Sequence, residues 1–155
     1  MKQSIVLLLI GLFLFPVWAM ADNSTNNFLQ LGQSQKTELG LTTTSLGGFG
    51  ISNSMVGHGI LTYFDSESEG DTLALDLGGG AAYRLGANFF IGGGWLFGYN
   101  WDDSDLKSSF YPEVGIALQF TKTLGVMVSG KRYYKLYDGV EDEDVIMFSL
   151  LLGGS

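Results

Sequence analysis

Alternation dominates the chain from residue 27 onward. Over 72–84 the odd positions are Leu73, Leu75, Leu77, Gly79, Ala81 and Tyr83; the even ones are Thr72, Ala74, Asp76, Gly78, Gly80, Ala82 and Arg84. One face is large and apolar, the other small or polar, as in a strand between two unlike environments. Residues 88–101 repeat the pattern, with Phe89, Ile91, Gly93, Trp95, Phe97, Tyr99 and Trp101 on one face. Over 110–121, Phe110, Pro112, Val114, Ile116, Leu118 and Phe120 oppose Tyr111, Glu113, Gly115, Ala117, Gln119 and Thr121. These runs exceed the ~5–6 residues of an ordinary strand. They suit a tilted transmembrane strand of ~9–11 residues with a little more at each rim.

The breaks between runs come in two kinds. Residues 52–54, 85–87 and 121–123 are short and nearly neutral. Residues 65–71, 102–105 and 138–144 are longer and acidic. Short turns on one rim and longer polar loops on the other are how outer-membrane barrels are built. The pattern predicts strands over 27–34, 38–51, 55–64, 72–84, 88–100, 110–121, 124–136 and 144–154. Eight is an even number, and it puts both ends of the barrel and the short turns on one rim. Tyr83, Phe89 and Phe120 then fall beside the short turns. Tyr99, Trp101, Phe110 and Tyr134 fall beside the acidic loops, with aliphatic residues between. Two aromatic girdles around an apolar band are expected of a membrane barrel. The expected fold is therefore all-β, an antiparallel up-and-down transmembrane β-barrel of about eight strands.

The first residues set the compartment. Lys2 is followed by an apolar run over 5–15, then Pro16 and the small-x-small pattern Ala19-Met20-Ala21. This is the layout of a secretory signal, and the run is shorter than the ~20 residues of a spanning helix. Cleavage after Ala21 leaves one domain over 22–155, too short for two. Composition agrees with β structure. Glycine is 23 of 155 residues and aromatics are 14%. Each glycine in a helix interior would cost roughly 1 kcal/mol. There is no cysteine, so neither a disulfide framework nor a thiolate metal site is expected. Lys+Arg total 8 against 16 Asp+Glu, and a chain this acidic offers nothing to nucleic acid.

Long alternating strands, the run Leu77-Gly78-Gly79-Gly80-Ala81-Ala82-Tyr83 before a short turn, and acidic loops resemble the small OmpX/OmpA-like barrels and the YfaZ-type proteins. The resemblance is architectural and covers the whole mature chain. It implies an outer-membrane location in a Gram-negative envelope. Such barrels commonly end on an aromatic residue, whereas the last aromatic here is Phe148.

The interior of an eight-stranded barrel is just wide enough for side chains to fill. The inward face is read as holding Glu38, Asp76, Arg84, Glu113, Lys131 and Lys135, and buried charges must be paired. A tight turn at 121–123 sets residue 120 opposite 124, and therefore Glu113 opposite Lys131. The expected arrangement is an internal ionic plug with Lys135 and Asp76 nearby. The alternative is a narrow path for water, ions or small solutes through space left by inward glycines, although Phe90, Leu96, Tyr111 and Tyr133 refill that space.

His58 is the single histidine, so any chemistry with a histidine base must use it. Asp103 and Ser104 complete a triad by composition alone. The strand count places His58 near the short-turn rim and the other two in an opposite loop, several residues of ~3.3 Å away. No catalysis is expected, and His58 is read as a rim or lipid-facing residue. The acidic loops carry hard oxygen ligands without the fixed spacing of a calcium loop, so no metal or other cofactor is expected. The expected partners are outer-membrane lipid and lipopolysaccharide, with Lys107, Arg132 and Lys135 as the few cations near the outer rim. The expected function is a packed barrel with a structural or interaction role in the envelope. A narrow channel, a soluble periplasmic barrel binding an apolar ligand and a lipid A-modifying enzyme are the alternatives.

Overall fold

The computed structural model describes residues 25–38, 40–137 and 142–153. The signal segment and its cleavage point lie outside them. The strands are β1 (Asn26–Ser34), β2 (Leu41–Ile51), β3 (Met55–Ser66), β4 (Thr72–Leu85), β5 (Ala87–Asn100), β6 (Asp105–Gln119), β7 (Leu124–Tyr133) and β8 (Glu143–Leu152). Each pairs antiparallel with its neighbours in the chain, and β8 returns to β1 to close the barrel. Closure removes the two free edges an open sheet would have.

Three strand ends differ from the alternation reading by three residues or more, each for a local reason. β2 begins at Leu41, not at residue 38. The Thr37 hydroxyl accepts the Leu41 N–H at 3.1 Å, and Gly40 at φ +83° makes the turn, which leaves Glu38 in the loop. β6 begins at Asp105, five residues early. Polar Asp105, Lys107, Ser108 and Ser109 hide its alternation, yet it pairs with Asn100 to Leu96 in register. β7 stops at Tyr133, where Lys135 at φ +50° turns the chain and tucks Leu136 and Tyr137 into the barrel mouth.

The interior is layered. On the short-turn side, Phe28, Phe49, Ile51, Val56, Phe90, Met127 and Leu151 form one apolar cluster. On the long-loop side, Leu41, Phe64, Leu96, Tyr133, Leu136, Tyr137 and Val145 form another. The outward positions between the rims carry Leu75, Leu77, Ile91, Trp95, Val114, Ile116, Val128, Ile146 and Leu150. Tyr83, Phe89 and Phe120 stand outward beside the short turns; Tyr99, Trp101 and Tyr134 stand outward beside the long loops, whereas Phe110, also outward, lies opposite Trp95, five residues into β6, because that strand starts early.

Glycines let the wall bend where β4 meets β5. Gly78, Gly79 and Gly80 pair with Gly94, Gly93 and Gly92. A Cβ on Gly92 would run into the Gly79 carbonyl oxygen, and one on Gly80 into the carbonyl of Ile91. Backbone cannot yield there as a flexible side chain would. We expect Gly92→Val to destabilise the barrel by about 2–3 kcal/mol. Gly130→Ala should be close to neutral, because its nearest neighbour is a Val114 methyl at 4.0 Å. Urea midpoints of the two variants in the same lipid would check this, and equal midpoints would contradict it.

Candidate functional site

The site is a charged cluster inside the barrel, between the two apolar layers. β4 supplies Asp76 because even positions of that strand face inward. β3 supplies His58, β6 supplies Tyr111 and Glu113, and β7 supplies Lys131. Glu113 pairs with Lys131 in the β6–β7 register, fixed by the turn at 121–123. Gly78 and Gly94 make the room. A Cβ on Gly78 would lie 2.6 Å from the His58 ring, and one on Gly94 would meet the Tyr111 hydroxyl.

Asp76 is fully buried, and both of its carboxylate oxygens are engaged. Lys131 Nζ donates to Oδ2 at 2.6 Å. The Tyr111 hydroxyl donates to Oδ1. His58 Nε2 lies 3.2 Å from Oδ1 and 2.9 Å from the Tyr111 oxygen. On the other side of the ring, His58 Nδ1 lies 3.6 Å from Glu113 Oε2. Lys131 also sits 3.9 Å from Glu113 Oε1 and 4.6 Å from the centre of the Tyr111 ring. Two carboxylates are thus shared between one ammonium and one imidazole, held rigid by an aromatic hydroxyl. Along the neighbouring strands β8, β1 and β2, Gln30 donates to Ser149 Oγ at 3.0 Å, and the Ser45 hydroxyl donates to Met147 Sδ at 3.1 Å.

Of the six charges read as inward, Asp76, Glu113 and Lys131 come together here. Glu38, Arg84 and Lys135 do not, and that reading is corrected. Glu38 is exposed in the turn ahead of β2. Arg84 has the inward parity but is exposed at the end of β4, opposite Asn88, where the strand has run past the apolar layer. Lys135 is exposed on the turn after β7, its backbone N–H donating to Asp142 Oδ1 at 3.2 Å. His58 is corrected in the opposite direction: it is 3% exposed and faces the lumen, not lipid or the rim.

The alternation could have found His58. It shares parity with Val56, Ile60 and Phe64, while Leu61 and Tyr63 face out. Tyr111 carried no polar signal, since a tyrosine on an inward face reads as packing. Asp103 and Ser104 stay in the outer loop. There Lys107 lies 2.9 Å from Asp103 and 3.2 Å from Asp105. The Lys107 hydrogen bond holds the Asp103 carboxyl below its usual value.

No family model matches this chain, and no curated protein does either. Solved structures do. One, from work on de novo design of transmembrane β-barrels, superposes with a TM-score of 0.58 at 14% identity, covering 82% of this chain and 93% of the other. The fold is that of a designed transmembrane β-barrel. A second, the solution NMR structure of the de novo designed TMB2.3, gives a TM-score of 0.51 at 12% identity over 86% of this chain and 98% of the other. At such identities the likeness concerns architecture and carries no site residue across.

Neutralising Asp76 leaves Lys131 with only the long contact to Glu113, and the Tyr111 hydroxyl with only His58. We expect Asp76→Asn to cost about 3–5 kcal/mol of unfolding free energy. Combined with Lys131→Met, the loss should be smaller than the sum of the two single losses by more than about 1 kcal/mol. Glu113→Gln should cost less than Asp76→Asn, because its contact with Lys131 is long. A double-mutant cycle on urea unfolding gives all three numbers, and strict additivity would contradict the cluster.

Proposed function

We propose that this chain is an integral β-barrel of the Gram-negative outer membrane with a side-chain-filled interior and a structural or interaction role in the envelope. The observation that carries this reading is the inverted distribution of residues. Asp76, Glu113, Lys131 and His58 are buried inside, while Tyr83, Ile91, Trp95, Phe97, Val114 and Phe148 stand exposed outside. In water that arrangement would present a continuous apolar surface of a kind soluble monomers avoid. In a bilayer it is the arrangement of least free energy.

Two features support a packed interior over a narrow channel. The cluster fills the middle, and an apolar layer lies on each side of it. Ions would have to cross both layers without water, which is costly. The same burial supports a structural role for His58 in place of catalysis. Lipid is the proposed partner. Among the outer-rim cations, Lys107 is engaged by Asp103 and Asp105. Lys107 is also buried, so contact with lipopolysaccharide phosphates falls to the exposed cations Lys36, Arg132 and Lys135, the first two of which already pair with Glu67 and Asp144.

The test is electrophoretic mobility of the protein from purified outer membranes, with and without boiling in SDS. A heat-dependent shift is expected. The same preparation in planar bilayers should show no unitary conductance above background. An unshifted protein recovered in the soluble periplasmic fraction would overturn the membrane reading, and a steady conductance would overturn the packed interior.

A further inference from the structure

The apolar belt around the barrel is not of even height. On β5 the outward residues are apolar from Phe89 through Trp95 to Tyr99, and Trp101 continues the line beyond the strand end. On β4 they are apolar from Leu73 to Leu85. On β1 only Leu29 and Leu31 are apolar; Asn27 bounds them on one side and exposed Gln33 on the other. On β2 exposed Thr44 stands above Leu46, and two glycines, Gly48 and Gly50, follow. The neighbouring β8 is taller, with Ile146, Phe148, Leu150 and Leu152 outward beyond Asp144.

At ~3.3 Å per residue and a tilt of about 45°, the stretch from Phe89 to Trp101 spans about 28 Å along the membrane normal. By the same measure Asn27 to Gln33 spans about 14 Å, against the ~25 Å apolar band usual in such barrels. Tilting the barrel does not help, because a tilt moves both boundaries of a face together and leaves its height unchanged. Part of the tall face can project into headgroups, but the short face stays short. Either bilayer thins beside it or polar groups sink into hydrocarbon. Gln33 and Thr44 are cross-strand partners, so they meet lipid side by side. The short face also borders the β1–β8 seam, which has six paired residues against fourteen for β4–β5.

We propose that the β1–β2 face thins the bilayer locally, so that the lipid contacting Leu29, Leu31 and Leu46 is compressed relative to the lipid beside β4 and β5. The inference rests on the membrane reading above. Mismatch of this kind is resolved by lipid deformation when the protein wall is rigid. A closed eight-stranded ladder with a packed lumen is such a wall.

The experiment refolds the mature chain into vesicles of saturated phosphatidylcholine with 12- or 16-carbon chains and reads the folded fraction by the boiling shift. In Gln33→Leu/Thr44→Leu, which extends the short belt, the ratio of folded fraction in 16-carbon to 12-carbon lipid should rise about threefold over the wild type. Ser108→Leu, on the tall face, should leave that ratio unchanged. A ratio unmoved by the double substitution, or raised equally by Ser108→Leu, overturns the thin face while leaving the membrane barrel intact. Disulfide cross-linking of Gln33→Cys between barrels in both lipids would show a second copy covering the polar pair, and would also overturn it. No boiling shift in either lipid would sink the membrane reading itself.

Discussion

A carboxylate in the middle of so narrow a barrel is cut off from bulk solvent, and Asp76 must find its partners among the inward side chains. Lys131 supplies the opposite charge from β7, Tyr111 a hydroxyl from β6, and His58 a ring nitrogen from β3. The four strands that meet at this point are therefore fixed in rotation and in height relative to one another. A slip of one residue in any of them would point a charge into lipid and an aliphatic side chain into the cluster. The ionic centre thus acts as a register lock, which is the best-attested use of buried charge.

The cluster also explains where the wall is thin. Side chains that cross the lumen need room, and glycine supplies it. Gly78 and Gly94 lie beneath the His58 and Tyr111 rings, and Gly115 lies beneath Phe90. Where glycines pair across β4 and β5 the two backbones approach so closely that no Cβ fits. Aromatic bulk on the inside and glycine in the wall are two halves of one packing arrangement. This is how a chain so rich in both seats large side chains inside so narrow a barrel.

Outside the barrel the governing condition is different, since lipid asks only for apolar surface of adequate height. The strands differ in how they meet it. β4, β5 and β6 form a tall wall with Trp95, Phe97, Phe110 and Tyr134 stacked along its outer part. β1 and β2 carry short belts and small residues. The long-loop mouth above the tall wall is tied down by polar contacts: Tyr63 donates to Asp71 at 2.6 Å, and Asp102 accepts the Asp71 N–H at 2.9 Å. The acidic loops are thus partly folded against one another, with Lys36–Glu67 and Lys107–Asp103 as their ion pairs.

Much of this was legible in the chain itself. Strand count, strand order, the face of nearly every residue and the Glu113–Lys131 pairing follow from period-two alternation and from one tight turn, because neighbouring strands joined by short turns have little freedom of register. Local signals could not place the strand ends. Whether Glu38, Arg84 and Lys135 lie inside depends on where the barrel stops, and alternation continues past a rim without marking it. His58 and Asp76 lie on the adjacent strands β3 and β4, but bringing Tyr111 and Lys131 to them depends on which strands face each other across the lumen. That is a property of barrel closure and stagger, and sequence-adjacent pairing does not encode it. The alternation of the amino acids determined which side of the wall each residue occupies; only the closed tertiary structure decided which inward residues meet, because contacts across a lumen are set by the curvature of the whole sheet.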